Sequence, residues 1–264
     1  MKLVSAAVAA AVALASALPA VSQNAKPYKA TTASYDRAAE SDASLAAVVK
    51  QAGAAVQAKD AAALAALISD RFVALDCPAN PLKACAPGKA KAIGKGGKPL
   101  DRLRLAMCCE GKPAPDMPEP AQNETMFAIL AANLGAGGLG ANPDAKGEVC
   151  APALPRLDRA RAAAAAKAAG VEPENLRVAS AQIVLRAKPA ATAEAISQLE
   201  AGDLAPLVTD LTQNTPSGWN AIAMTDGAIG FTDALGLDEL TPGAVCFGKD
   251  KGGWKIVSTI QRGG

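Results

Sequence analysis

The last third of the chain constrains its fold most. Near Arg177 the hydrophobic period switches from helical to alternating, and from Ile183 to Ala234 the text breaks into short runs separated by turn residues. The clearest stretch is GWNAIAMTDGAIGF, Gly218 to Phe231. Trp219, Ile222 and Met224 fall near alternate positions, Asp226-Gly227 supplies a two-residue hairpin turn, and Ala228 to Phe231 returns. Upstream, IVLRAKP (Ile183 to Pro189) leads through ATAEAIS to QLEAGDL, where Gly202 separates Leu199 from Leu204 and Val208. Strands this short predict a small all-β unit over residues 177–236.

The order of these residues resembles the bacterial Src-homology-3-like domain. That family's text is an alternating "L-x-x-R-x-x-P" strand, then "L-x-x-G", then "G-W-x-x-V-x-x-x-D-G-x-x-G-W/F-V". Leu185, Pro189, Leu199, Gly202, Gly218, Trp219, Ile222, Asp226, Gly227, Gly230 and Phe231 match it. Arg186 directly follows Leu185 instead of being spaced from it, and Phe231-Thr232-Asp233 stands where Trp-Val is usual. The resemblance implies a barrel of five or six strands, and an association with cell-wall peptides. In such a barrel Trp219 and Phe231 fill the core or wall, or else line a shallow groove that docks an extended peptide. The polar, Pro-containing connection between Thr209 and Gly218 is expected to be an exposed loop beside Trp219, with Asp210 and Asn214 as rim groups.

The first residues point to export. Met1-Lys2, an apolar run from Leu3 to Leu18 and Pro19-Ala20-Val21-Ser22 have the order of a secretory leader, assigned here to residues 1–22. No later stretch is apolar enough for a transmembrane segment, and the expected location is periplasmic or secreted. Export gives the six cysteines their meaning. Cys77, Cys85, Cys108, Cys109, Cys150 and Cys246 are even in number, so three disulfides are expected among the fifteen pairings that six thiols allow. With no CxxC pair and no His, a metal site is not assigned. If Cys246 is paired, it ties the C-terminal end back onto the preceding region.

The absence of His removes Ser-His-Asp and Cys-His catalysis and the common His-containing metal hydrolases. A net charge of +2 gives no global field toward nucleic acid or a membrane. Aromatic residues make up 3% of the chain, which argues against a carbohydrate platform or base-stacking surface. No catalytic residue and no cofactor are assigned.

The remaining organisation is helical. Residues 23–42 are polar and small, and read as a flexible N-terminus. Ala43 to Phe72 reads as a helix pair, with a short strand from Phe72 to Leu75 entering Cys77. Further helices are expected over Leu100–Glu110, Glu124–Leu134 (opened by Asn123 or Thr125) and Pro155–Ala169 (capped by Gly170). The helix pair also resembles the opening of nuclear-transport-factor-like cone folds, to which the strand Trp254 to Ile260 would be suited as a closing strand. GKAKAIGKGGK (Gly88 to Lys98) lacks phosphate-loop spacing and reads as a basic solvated loop; its lysines, Lys95 among them, belong to a positive patch. GAGGLG (Gly135 to Gly140) follows a helix instead of a strand and reads as a loop. Asp116, Glu119 and Glu124 lie in or beside a Pro-rich linker, with nothing to hold two carboxylates at hydrolytic separation.

The sequence therefore predicts an α+β protein: an Ala-rich helical N-terminal region with disulfides (43–176), a small Src-homology-3-like barrel (177–236) and a C-terminal strand segment (237–264). The expected function is non-catalytic binding or scaffolding in the bacterial envelope, with cell-wall peptide or an envelope protein as partner. The alternative is a small-ligand-binding or enzymatic cone-like domain built from the N-terminal helices and the C-terminal strand.

Overall fold

The computed structural model describes residues 25–262 except positions 95, 113, 137 and 234. The leader assigned to residues 1–22 and Lys95 of the basic patch lie outside the described residues. In chain order the elements are α1 (Ala43–Gln57), α2 (Ala61–Leu67), β1 (Ile68–Cys77), β2 (Lys91–Ile93), α3 (Pro99–Cys109), α4 (Glu119–Gly135), β3 (Gly140–Ala141), β4 (Val149–Ala151) and α5 (Arg159–Ala169). Then follow β5 (Leu176–Ala179), β6 (Ile183–Arg186), β7 (Ala195–Leu199), β8 (Leu204–Pro206), α6 (Thr209–Gln213), β9 (Asn220–Ala223), β10 (Ile229–Thr232) and β11 (Leu237–Glu239). A hairpin of β12 (Ala244–Asp250) and β13 (Gly253–Arg262) closes the chain. The protein is mixed α+β, and among the described residues no helix is long and apolar enough to cross a membrane.

The first unit is a six-stranded sheet ordered β2-β1-β13-β12-β4-β3, so its centre is made from both ends of the chain. β1 lies parallel to β13, pairing Val73 with Ser258 and Leu75 with Ile260. Strand alternation divides its two faces. Val149, Ala151, Val245 and Phe247 join Phe72 and Ala74 under helices α1 to α4, around Leu45, Leu64, Leu103 and Met126. Cys150 and Cys246 point to the other face, with Leu75, Leu154 and Ile260. There they form one of three disulfides, Cys150–Cys246, beside Cys77–Cys85 and the adjacent pair Cys108–Cys109.

Helix starts follow local chemistry. The carboxylates of Asp42, Asp60 and Asp158 each accept two backbone N–H bonds in the first turn of α1, α2 and α5, satisfying donors that a helix cannot satisfy itself. Asp42 also accepts from Ser44 Oγ and, at 3.1 Å, from the Trp254 indole of β13. The Ser44 hydroxyl leads the hydrogen bonds that hold its carboxyl down at about 2. Two sequence expectations shift. α4 starts at Glu119, so Asn123 and Thr125 lie inside it instead of capping it; Pro120 occupies its first turn, where a missing N–H costs nothing. β1 starts at Ile68, directly at the end of α2, four residues before the expected strand.

The second unit contains two small sheets, ordered β7-β6-β10-β9 and β11-β5-β8, joined by a bridge between Leu207 and Ile222. Among the described residues the ladder is not one closed barrel. Ala179, Ile183, Leu185, Ala205 and Ile222 form its apolar centre. β11 pairs with β5, so the strand pattern runs beyond the boundary at 236. The β9–β10 turn closes Met224 onto Gly227, which is left-handed at φ 89°. Asp226 and Gly227 are thus its third and fourth residues instead of its central pair.

Residues 25–37, expected to be a flexible tail, run as a strap over both units. Tyr28 N donates to Thr225 O, Ala33 N to Gly202 O, and Ser34 exchanges two bonds with Arg156. Further on, Asp36 O accepts from Ala141 N of β3. The Tyr28 hydroxyl donates to Ala223 O at 2.8 Å, and burial, aided by Asp203 and Asp226, pushes its pKa up to about 12. The tyrosine therefore remains a donor at any ordinary pH.

Candidate functional site

The first candidate is the groove beside Trp219. It is built by the connection from β8 to β9, where the sequence suggested a loop and the structure places the single-turn helix α6. Val208 and Leu211 explain the difference, because both pack on Ala221 and Ala223 and pull the turn onto the sheet. The Thr212 hydroxyl accepts from Ala221 N, and Thr215 Oγ1 lies 2.8 Å from Thr212 O and 3.0 Å from Trp219 O. These bonds fix the backbone around Trp219 without using its ring. The indole is half-buried and belongs to none of the apolar clusters formed by the described residues. It borders an open groove of about 520 Å³, together with Pro216, Asn220, Asp233 and Leu235. Leu235 is 99% exposed, an unusual position for a leucine on this surface.

Of the four candidate binding residues, the structure brings Trp219 alone to this groove. Asp210 on α6 and Asn214, the residue just after it, are exposed but outside the lining; the Asn214 amide donates to Asp210 O at 2.7 Å and ties off the helix end. Phe231 pairs with Arg186 and Ala221 across the sheet and packs with Val208, Ala221 and Ala223, a core role. Leu235 and Asp233 were missed. The available signal was Leu235 itself, a lone aliphatic between Asp233 and Gly236 where the strand text had ended.

A second concavity, about 920 Å³, lies between the two units. One wall comes from the end of α4 (Asn133) and from Pro152 and Ala153, the other from Ser180 and from Asp238 and Glu239 of β11, while the strap contributes Tyr35 and Arg37. Arg37 is held by Glu40 at 3.0 Å and lies 5.6 Å from the centre of the Tyr35 ring. Burial raises the Tyr35 pKa, reinforced by the negative charge of Asp238. A concavity between two packed units, lined mostly by Ala, Gly and Pro with a few polar groups, is a common place for a ligand site.

A third grouping surrounds Glu148, whose carboxylate accepts from Asn142 Nδ2 and Ser258 Oγ. Burial pushes its pKa up, against the pull of those two hydrogen bonds. One of its oxygens and the sulfurs of Cys150 and Cys246 all lie within 4.8 Å of one another. The two sulfurs are bonded to each other, so the group offers no thiolate to an ion. The expected positive patch is partly neutralised, Lys91 meeting Asp76; nearby on α3, Arg104 meets Asp101 and Glu119. Of the three linker carboxylates, Glu119 is spent on Arg104 and Glu124 on Lys59.

Compared with known protein families, with curated proteins and with solved structures, the chain matches none.

Proposed function

We propose that this chain is an exported, non-catalytic binding protein of the bacterial envelope whose C-terminal unit, a Src-homology-3-like small barrel, docks an extended cell-wall peptide beside Trp219. The observation that carries the reading is the position of Trp219. It is a large aromatic left out of every apolar cluster of the described residues, held at the lip of a groove by hydrogen bonds to its backbone, in a lining it shares with an almost fully exposed leucine. Aromatic and aliphatic walls of this kind suit the apolar side chains of an extended chain, and the surrounding Thr, Asn and Asp groups suit its amides. The barrel reading is supported by the strand order: β5 pairs with β8 and β11, β10 with β6 and β9, and the Leu207–Ile222 bridge links the two short sheets over one centre. The disulfide pairs agree with an oxidising compartment. The absence of any imidazole in the chain fits binding better than hydrolysis.

The test is co-sedimentation of the mature protein with purified insoluble peptidoglycan. The parent is expected in the pellet and Trp219→Ala in the supernatant with an unchanged melting temperature, since the ring supports no core. Equal pelleting of both proteins would place binding elsewhere. Asp210→Ala with Asn214→Ala is expected to weaken sedimentation far less than Trp219→Ala, because neither side chain lines the groove.

The alternative reading, a small-ligand site in a cone-like first unit, rests on two observations. β13 lies parallel beside β1 under the N-terminal helices, and a pocket of about 470 Å³ opens between α2, α3 and α4. It is bordered by Arg104 and Asn123, whose Nε and Oδ1 atoms are buried without hydrogen-bond partners. Ligand capture there would be indifferent to Trp219→Ala and sensitive to Asn123→Ala.

A further inference from the structure

The cleft between the two units has a charge balance that selects a ligand. Its three charged side chains are Arg37, Asp238 and Glu239. Arg37 is already committed: Glu40 accepts from it at 3.0 Å, and the same guanidinium passes so close to Gly138 that a Cβ on that residue would lie 2.0 Å from Nη1. Its guanidinium thus lies against Glu40 and Gly138 on its own wall of the cleft. Asp238 and Glu239 are exposed on β11, and among the described residues neither has an ion-pair or hydrogen-bond partner for its carboxylate. The cleft therefore carries two carboxylates on one wall, Glu239 lying across the ladder from Arg177 and Asp238 from Val178, and a half-buried aromatic ring on the other.

β11 adds a backbone feature. It pairs with β5 on one side, and among the described residues no strand pairs with its other edge. Strand alternation turns Asp238 away from Leu237, which packs into the apolar centre of the second unit. Asp238 thus faces outward next to free N–H and C=O groups. Tyr35 and Asp238 line the same cleft.

We propose that this cleft binds a ligand bearing a primary ammonium group, with Asp238 as its main counter-ion, Glu239 as a second charge at the rim, and Tyr35 as the ring and hydroxyl against which its carbon stem lies. An alkylammonium fits this chemistry better than a carboxylate or phosphate, which would face unpaired anions with Arg37 already occupied. A cleft of about 920 Å³ is large enough for an amine-bearing side chain together with part of a peptide backbone. This site is separate from the Trp219 groove and does not depend on what that groove binds.

The test uses 1,5-diaminopentane as probe and glutarate, the dicarboxylate of the same length, as its opposite. Both are titrated into the ¹⁵N-labelled mature protein at physiological salt, and amide shifts are followed. The diamine is expected to move Tyr35, Asn133, Asp238 and Glu239, and glutarate to leave them in place. Asp238→Asn with Glu239→Gln is expected to weaken the diamine by about tenfold, the loss of roughly one charge-assisted contact. Glu172→Gln with Glu174→Gln, a control pair away from the cleft, should leave it unchanged. Shifts at the cleft that are absent, equal for both probes, or retained in the Asp238/Glu239 variant would overturn the proposal. The Trp219 amide and indole signals report the other groove in the same spectra, so failure of one site is not failure of the other.

Discussion

Two glycines show how a single residue fixes the path of the strap. Gly227 and Gly218 are both left-handed, at φ 89° and 88°. A Cβ on Gly227 would lie 2.2 Å from Ala25 O, whereas one on Gly218 would meet nothing within 4 Å. Both alanine variants bear the cost of a left-handed alanine, of order 1 kcal/mol, and Gly227→Ala alone also pushes the strap away. Gly227→Ala is therefore expected to melt lower than Gly218→Ala and to lose amide-exchange protection at Tyr28. Equal melting and an unchanged Tyr28 amide would show that the strap is not held there. The strap escaped the sequence reading because its anchors are backbone hydrogen bonds, which leave no mark on composition. The core place of Phe231, by contrast, was one of the two readings open to an aromatic in strand text. Asp210 and Asn214 were read correctly as exposed, but exposure does not say which way a short helix turns them.

At the scale of elements, helices were legible wherever a capping carboxylate preceded an apolar period. Gly170 ends α5 as the sequence suggested, but the helix opens at Arg159 with Asp158 as its cap, four residues after the expected start at Pro155. That helix is mostly alanine, and its buried face consists of Ala162, Ala165, Ala166 and Ala169, so packing gives it little per residue and the cap matters more. Asp158→Ala is expected to cost about 1 kcal/mol in chemical denaturation, and Asp158→Asn much less. An alanine variant as stable as the parent would mean that the apolar contacts alone hold α5. Boundaries were less legible at proline-rich starts. α4 begins inside the apparent linker because Pro118 and Pro120 are compatible with a helix's first residues, and only the later apolar period was read. α6 was hidden for a similar reason: one turn of helix is too short for a period, and Val208 and Leu211 reveal it only through what they touch.

For the whole molecule, the unreadable feature was which strands meet. The chain ends return to one sheet, β1 beside β13, across almost two hundred residues, and no local signal encodes such a pairing. Cys246 hinted at it, but six cysteines left its partner open until Cys150 was found directly opposite in the ladder. That disulfide spans 96 residues and closes a loop that contains all of β5 to β11. Cys150→Ala with Cys246→Ala is expected to destabilise the protein by about 2–4 kcal/mol, mainly by freeing the unfolded chain. Removing Cys77 and Cys85, eight residues apart, should cost less. The reverse ranking in a denaturation series would contradict this account of the architecture.

The central claim is that Trp219 is a binding residue and not a structural one. The chain has two tryptophans, and Trp254 is spent on the first unit, against the helix core and the Asp42 carboxylate. In a Trp254→Phe background all indole emission therefore reports Trp219. Titrating soluble stem peptides released from peptidoglycan into that protein is the most direct measurement. The account predicts a saturable blue shift as the half-exposed ring is covered, with the same midpoint as sedimentation of the parent protein. Emission that stays constant while the protein still sediments with the cell wall would contradict it.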